Sequence, residues 1–146
     1  MVLSAGVIRK RLGEDSSQGD LVIRPFEDGC LQPASYDLRV AEEVLLIRGQ
    51  CTLVSTYEWV ELPLDIAATL RGRSSFGRRG LLLGAGYVDP GFRGQLTLCC
   101  TNMGHEDILV PRQTRIVQMI LHFVEEGHEL YSGRYQDSRG TVYARD

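Results

Sequence analysis

Residues Arg71–Gly94 read RGRSSFGRRGLLLGAGYVDPGFRG, with five arginines, two adjacent serines and a single aspartate in a short span. Arg73-Ser74-Ser75 opens a short turn or helix that Gly80 stops, and Leu81-Leu82-Leu83 begins an apolar strand. N–H groups at a helical start lack backbone partners, and hydroxyls and guanidinium forks beside them make charge-assisted bonds, so the turn suits a phosphate. Val88-Asp89-Pro90-Gly91 is a turn that presents the Asp89 carboxylate instead of burying it in a ladder. Alone, each motif is weakly specific: arginine clusters are often solvated surface, and a turn aspartate often bonds only its own backbone. Their closeness in sequence favours a nucleotide site.

Outward from this stretch the chain is punctuated as short strands. Ser4 caps a helix in which Val7, Ile8 and Leu12 share a face, ending at Gly13. Leu21–Ile23 is a brief strand closed by Pro25. From Ser35 to Val40 the residues alternate with Tyr36, Leu38 and Val40 on one side, and Val44–Ile47 reads as a short buried strand. Cys51–Val60, Ile66–Leu70, Leu81–Leu83, Gln95–Cys100, Ile108–Val110 and Ile116–Phe123 follow, separated by Gly, Pro and polar residues. Many short strands and little helix predict an all-β barrel or sandwich. Periodicity fades from Glu125, so residues 1–126 read as the β domain and 127–146 as a C-terminal tail.

Composition sets the outer limits. The chain has 146 residues, 43% hydrophobic and 24% charged, as expected of one globular domain. A net charge of −3 argues against a general nucleic-acid binder. No apolar run approaches the roughly 20 residues of a membrane span. No signal peptide is read, so the expected compartment is the cytoplasm, with Cys30, Cys51, Cys99 and Cys100 as free thiols. A P-loop, the H-x-E and P-C-x-x-C of a zinc deaminase, and a G-x-S-x-G elbow are all missing. His105, His122 and His128 have no metal-like spacing with the cysteines.

RGRSSFGRRGLLL followed by GYVDPGFRGQLTL resembles the dCTP deaminase and dUTPase superfamily, as do Leu31–Arg39 (LQPASYDLR), Arg115–Met119 (RIVQM) and Gly133–Gln136 (GRYQ). The resemblance implies a distorted β-barrel or jelly roll of the trimeric dUTPase-like type, with one short N-terminal helix and a short helical turn. It further implies a deoxynucleoside triphosphate as ligand, sites shared between neighbours of a homotrimer, a tail closing over the nucleotide, and Mg²⁺ carried by the substrate's phosphates. Carried over by position, Asp89 would orient the attacking water and Phe92 would pack under the deoxyribose. Ser74, Ser75 and Arg78 would bind phosphates with Arg73 as anchor, and Gln118 would lie near them. Arg134 stands at the tail's basic position, and Tyr87 and Tyr135 complete the substrate-binding set.

Two reactions are open within that resemblance. The deaminases shuttle protons with a glutamate in the strand after the aspartate turn, and counting on from Asp89 puts Cys99 there. A thiol, with a reference pKa of about 8.5, is a poor substitute for a carboxylate acid and base. The leading expectation is therefore hydrolysis of dUTP to dUMP and pyrophosphate, which needs mainly positioning and electrostatic stabilisation. The alternative is a zinc-free dCTP deaminase or a catalytically impaired, deaminase-like nucleotide-binding protein.

Overall fold

The computed structural model describes residues 1–84 and 86–146. Ala85, between the Leu81–Leu83 strand and the aspartate turn, lies outside the described residues. Helix α1 (Ala5–Arg11) starts where Ser4 Oγ accepts from the Val7 N–H at 3.3 Å, and it buries Ile8. The strands in chain order are β1 (Val22–Arg24), β2 (Leu31–Gln32), β3 (Ser35–Arg39), β4 (Val44–Leu46), β5 (Cys51–Glu61) and β6 (Ile66–Gly72). A one-turn helix α2 (Ser74–Gly77) then precedes β7 (Leu81–Gly84), β8 (Tyr87–Val88), β9 (Arg93–Asn102), β10 (Ile108–Val110) and β11 (Arg115–Phe123).

These form a four-stranded sheet β1-β5-β9-β7, a five-stranded sheet β2-β3-β11-β6-β8 and a two-stranded ribbon β10-β4. The all-β fold is as expected, arranged as a distorted sandwich in which the two larger sheets share one core. Alternation explains the layering: β9 buries Leu96, Leu98 and Cys100 and turns Gln95, Thr97, Cys99 and Thr101 away. Against the buried row lie Tyr36, Leu38, Ile66, Ala68, Met119 and Leu121 from the other sheet. Each fully buried leucine or isoleucine contributes about 1.5–3 kcal/mol relative to leaving it in water.

Two local expectations need revision. Val44–Ile47 is not a buried strand, because the ribbon's outer row faces solvent. Leu45 is 47% and Leu109 56% exposed, and the two are directly paired across β4 and β10. The Ser35–Arg39 strand is buried on both faces, its polar row included. Against that row Glu58 of β5 is fully buried, accepting from Arg39 Nε at 2.6 Å and from the Arg39 backbone N–H at 2.9 Å. Burial pushes the Glu58 carboxyl up while Arg39 pulls it back.

Candidate functional site

The aspartate turn, the long strand β9 and the tail enclose a cavity of about 370 Å³. Asp89 stands exposed at its rim, directly after β8. Phe92 forms a wall, 6% exposed, with Tyr131 of the tail set edge-on at a centroid distance of 5.7 Å. Tyr87 and Tyr135 line it too, and both keep solvent exposure. The outward row of β9, Gln95, Thr97 and Cys99, supplies the face between them.

The tail is docked rather than frayed. Arg93 holds Asp137 through two bonds of 3.0 Å, and the Asp137 N–H donates to Arg93 O at 2.8 Å. Gln95 N–H donates to Ser138 O at 2.8 Å, Gly140 N–H to Gln95 Oε1 at 2.7 Å, and Val142 N–H to Thr97 Oγ1 at 3.0 Å. The tail thus runs alongside β9 and brings Val142 and Ala144 over the cavity. Its approach depends on Gly94, whose φ of +149° belongs to glycine. A Cβ there would lie 3.0 Å from both the N and the O of Ser138. Arg134 does not line the cavity; its guanidinium donates to Arg145 O at 2.7 Å, and Arg145 returns a bond to Arg134 O at 2.8 Å.

The residues expected to meet phosphates form a second cluster. Ser74, Ser75 and Arg78 are exposed on and just after α2, while Phe76 between them is buried as its anchor. Arg73, the residue before α2, turns inward. Its Nε lies 3.2 Å from Asp37 Oδ2 and its NH1 donates to Arg115 O at 3.3 Å, so it is a strut for the turn. Arg115 NH1 lies 3.5 Å from the same Asp37 oxygen. Asp37 is 1% exposed and its Oδ1 has no hydrogen-bond partner; burial pushes its carboxyl up despite the two guanidiniums. Gln118 on β11 sits directly between Asp37 of β3 and Arg71 of β6. Among the described residues that line the cavity, none of Arg73, Ser74, Ser75, Arg78 or Gln118 appears.

Cys99 lines the cavity, paired across the sheet with Leu53 of β5 and Gly84 of β7. Burial, with Cys51 nearby, pushes its thiol up, so at neutral pH it stays protonated and uncharged. Cys100 faces the core and is pushed up to about 12, again by burial. Asp89 is the sole carboxylate among the described lining residues. Sequence reasoning did not single out Gln95, Thr97, Tyr131 and Ser138 as cavity residues. Period-two counting along β9 gives the first two, whereas Tyr131 and Ser138 carry no local signal.

The dCTP deaminase-like family profile matches residues 40–124. A dCTP deaminase of Thermococcus sibiricus is 36% identical over 137 residues, covering 82% of this chain and 87% of its own length. An Aquifex aeolicus protein named dCTP deaminase, dUMP-forming, is 32% identical over 174 residues, covering 99% and 94% respectively. In fold, native EIAV dUTPase superposes with a TM-score of 0.60 at 22% identity, covering 78% of this chain and 92% of that one. With the Ser-Ser turn, the aspartate turn and the profile all in one continuous span, this chain belongs to the dCTP deaminase-like family.

Proposed function

We propose that the cavity binds a pyrimidine deoxynucleoside triphosphate, and that the chain cleaves it, as dUTP, to dUMP and pyrophosphate without deaminating cytosine. The observation that carries this reading is Cys99 in the cavity wall, with Asp89 as the only carboxylate among the described lining residues. Deamination needs a group that takes a proton from water and returns it to the leaving nitrogen. An uncharged thiol among leucines offers neither step. Hydrolysis at the phosphates needs an oriented water and neutralised charge, and for these Asp89 and the Ser74-Ser75-Arg78 turn are suitable in kind.

Because the turn does not line the cavity of its own chain, the reading includes a homotrimer in which one copy's turn meets the nucleotide held by a neighbour. Magnesium would come on the substrate's phosphates and neutralise charge there. Among the described residues no three His, Cys, Asp or Glu side chains converge as a metal cage. No helix among the described residues is long and apolar enough to cross a membrane; the proposed place of action remains the cytoplasm.

A second reading, dCTP deamination, is favoured by the relatives' names over the diphosphatase. The name dCTP deaminase, dUMP-forming joins two bond cleavages, loss of the amino group and loss of two phosphates. Our proposal is that this chain keeps the second and lacks the first. Product analysis tests it: purified protein with Mg²⁺ is incubated separately with dUTP and dCTP. Pyrophosphate and dUMP from dUTP are expected, with turnover abolished and binding largely spared in Asp89→Asn. Ammonia released from dCTP would overturn the reading of Cys99. Bound nucleotide with no product would leave a non-catalytic binding protein.

A further inference from the structure

The row across the sheet at position 99 is Leu53, Cys99 and Gly84, and all three face the cavity. It presents one leucine, one thiol and a bare backbone. A Cβ placed on Gly84 would lie 3.6 Å from Cys99 Cβ, an ordinary contact, so glycine leaves open the space a side chain would fill. Cysteine ends at its second side-chain heavy atom, where glutamate continues to a charged carboxylate. Leu83 and Leu98 adjoin the row, and Ala144 of the tail is the small residue lining the cavity's tail side. The wall is therefore recessed, apolar and uncharged.

This step rests on the proposed reading that a pyrimidine nucleotide occupies the cavity, and it adds that the C4 edge of the base faces position 99. An unmodified cytosine presents there an amino group with two donors, and the side chains of this wall offer only a weak sulfur acceptor. An N4-alkyl group replaces one of those donors with a carbon that suits an apolar recess. We infer that Leu53, Cys99 and Gly84 make the cavity prefer, among cytosine deoxynucleotides, those carrying a small alkyl substituent on the C4 nitrogen, with Cys99 as the specificity-determining residue. A glutamate at position 99 would both crowd that substituent and present it with a charge.

The test is equilibrium titration of the full chain with dCTP, N4-methyl-dCTP and dUTP in the presence of Mg²⁺, repeated with Cys99→Glu and Cys99→Ala. The wild type is expected to bind N4-methyl-dCTP about three- to fourfold more tightly than dCTP, the ratio set by burying one methyl group. Cys99→Glu should reverse the ratio by at least about tenfold, and Cys99→Ala should preserve it, separating size and charge from thiol chemistry. Wild-type binding of dCTP with N4-methyl-dCTP markedly weaker would overturn the inference. So would a ratio left unchanged by Cys99→Glu. If dCTP and dUTP bind and only the methylated nucleotide fails, the nucleotide reading survives without the inference; if none of the three binds, both fall.

Discussion

Gly94→Ala probes the contact that holds the tail over the cavity. Two costs follow from the geometry. The first is conformational: a φ of +149° is outside the range of alanine, and forcing it costs about 1–3 kcal/mol wherever the tail lies. The second exists only when the tail is docked, because the new Cβ would meet the Ser138 backbone N and O at 3.0 Å and Phe92 Cζ at 3.2 Å. Backbone cannot rotate away as a side chain can, so the Ser138 segment must move. The bonds around it, from Gln95 N–H to Ser138 O and from Asp137 N–H to Arg93 O, both 2.8 Å, then weaken together. Each contributes about 0.5–1.5 kcal/mol net, partly offset by the entropy regained when the tail is released. The full chain should lose about 3 kcal/mol, and a chain ending at His128 only the conformational part, leaving a coupling of about 1–2 kcal/mol. Urea denaturation of the four proteins gives the cycle, and hydrogen exchange at Gln95, Asp137 and Gly140 reports tail release directly. Equal losses in both backgrounds, with those amides still protected, would refute the argument that Gly94 admits the tail.

Two further outcomes are expected. Glu58→Gln should destabilise by about 3–5 kcal/mol by leaving the Arg39 guanidinium buried without its counter-charge, whereas Glu58→Met with Arg39→Met should recover most of the loss in urea denaturation. Asp65 accepts from Arg11 at 2.7 and 3.0 Å, and that hydrogen bonding lowers its pKa in the folded chain. Its stabilisation is therefore present above the unfolded value and lost as pH falls through the folded one. With Asp65 about half exposed, Asp65→Asn should cost no more than about 1 kcal/mol at about pH 7, and almost nothing at about pH 2, in denaturation at each pH.

What was legible in the sequence was local. The Ser4 cap, the α2 turn and the Val88–Gly91 turn are decided by neighbouring residues, so they stand where turn chemistry puts them. Cys99 could be placed by counting because a strand's period is two and nothing intervenes between Asp89 and β9 except one turn. The polar row of β3 was not legible as buried, since its partners arrive from Glu58, Arg73 and Arg115 far along the chain. Val44–Ile47 misled for the opposite reason: four apolar residues in a row look like core, but β4 pairs only with β10 and its outer row has no layer above it. A closing tail was expected from the resemblance alone, because docking depends on backbone bonds and on an absent Cβ at Gly94, neither of which leaves a hydrophobic pattern.

Strand β6 explains why the candidate site comes in two parts. Its Ala68 and Thr69 pair with Val88 and Tyr87, immediately before Asp89, and its Leu70 lines the cavity. Arg71 and Gly72 then carry the strand on beside β11, and the Arg73 strut to Asp37 fixes where α2 begins. From Leu70 to Ser74 the chain advances about 13 Å at strand rise, so Ser74 stands well along the strand from the cavity wall. The Asp37 anchor is buried and twice paired, which makes this separation a rigid property of the sheet and not a loop position that ligand binding could erase. A single chain therefore presents the cavity and the α2 turn at a fixed offset. On the proposed reading, chemistry at the phosphates has to be judged on an assembly that brings a turn and a cavity together, while the selectivity proposed for Cys99 rests on residues of one chain.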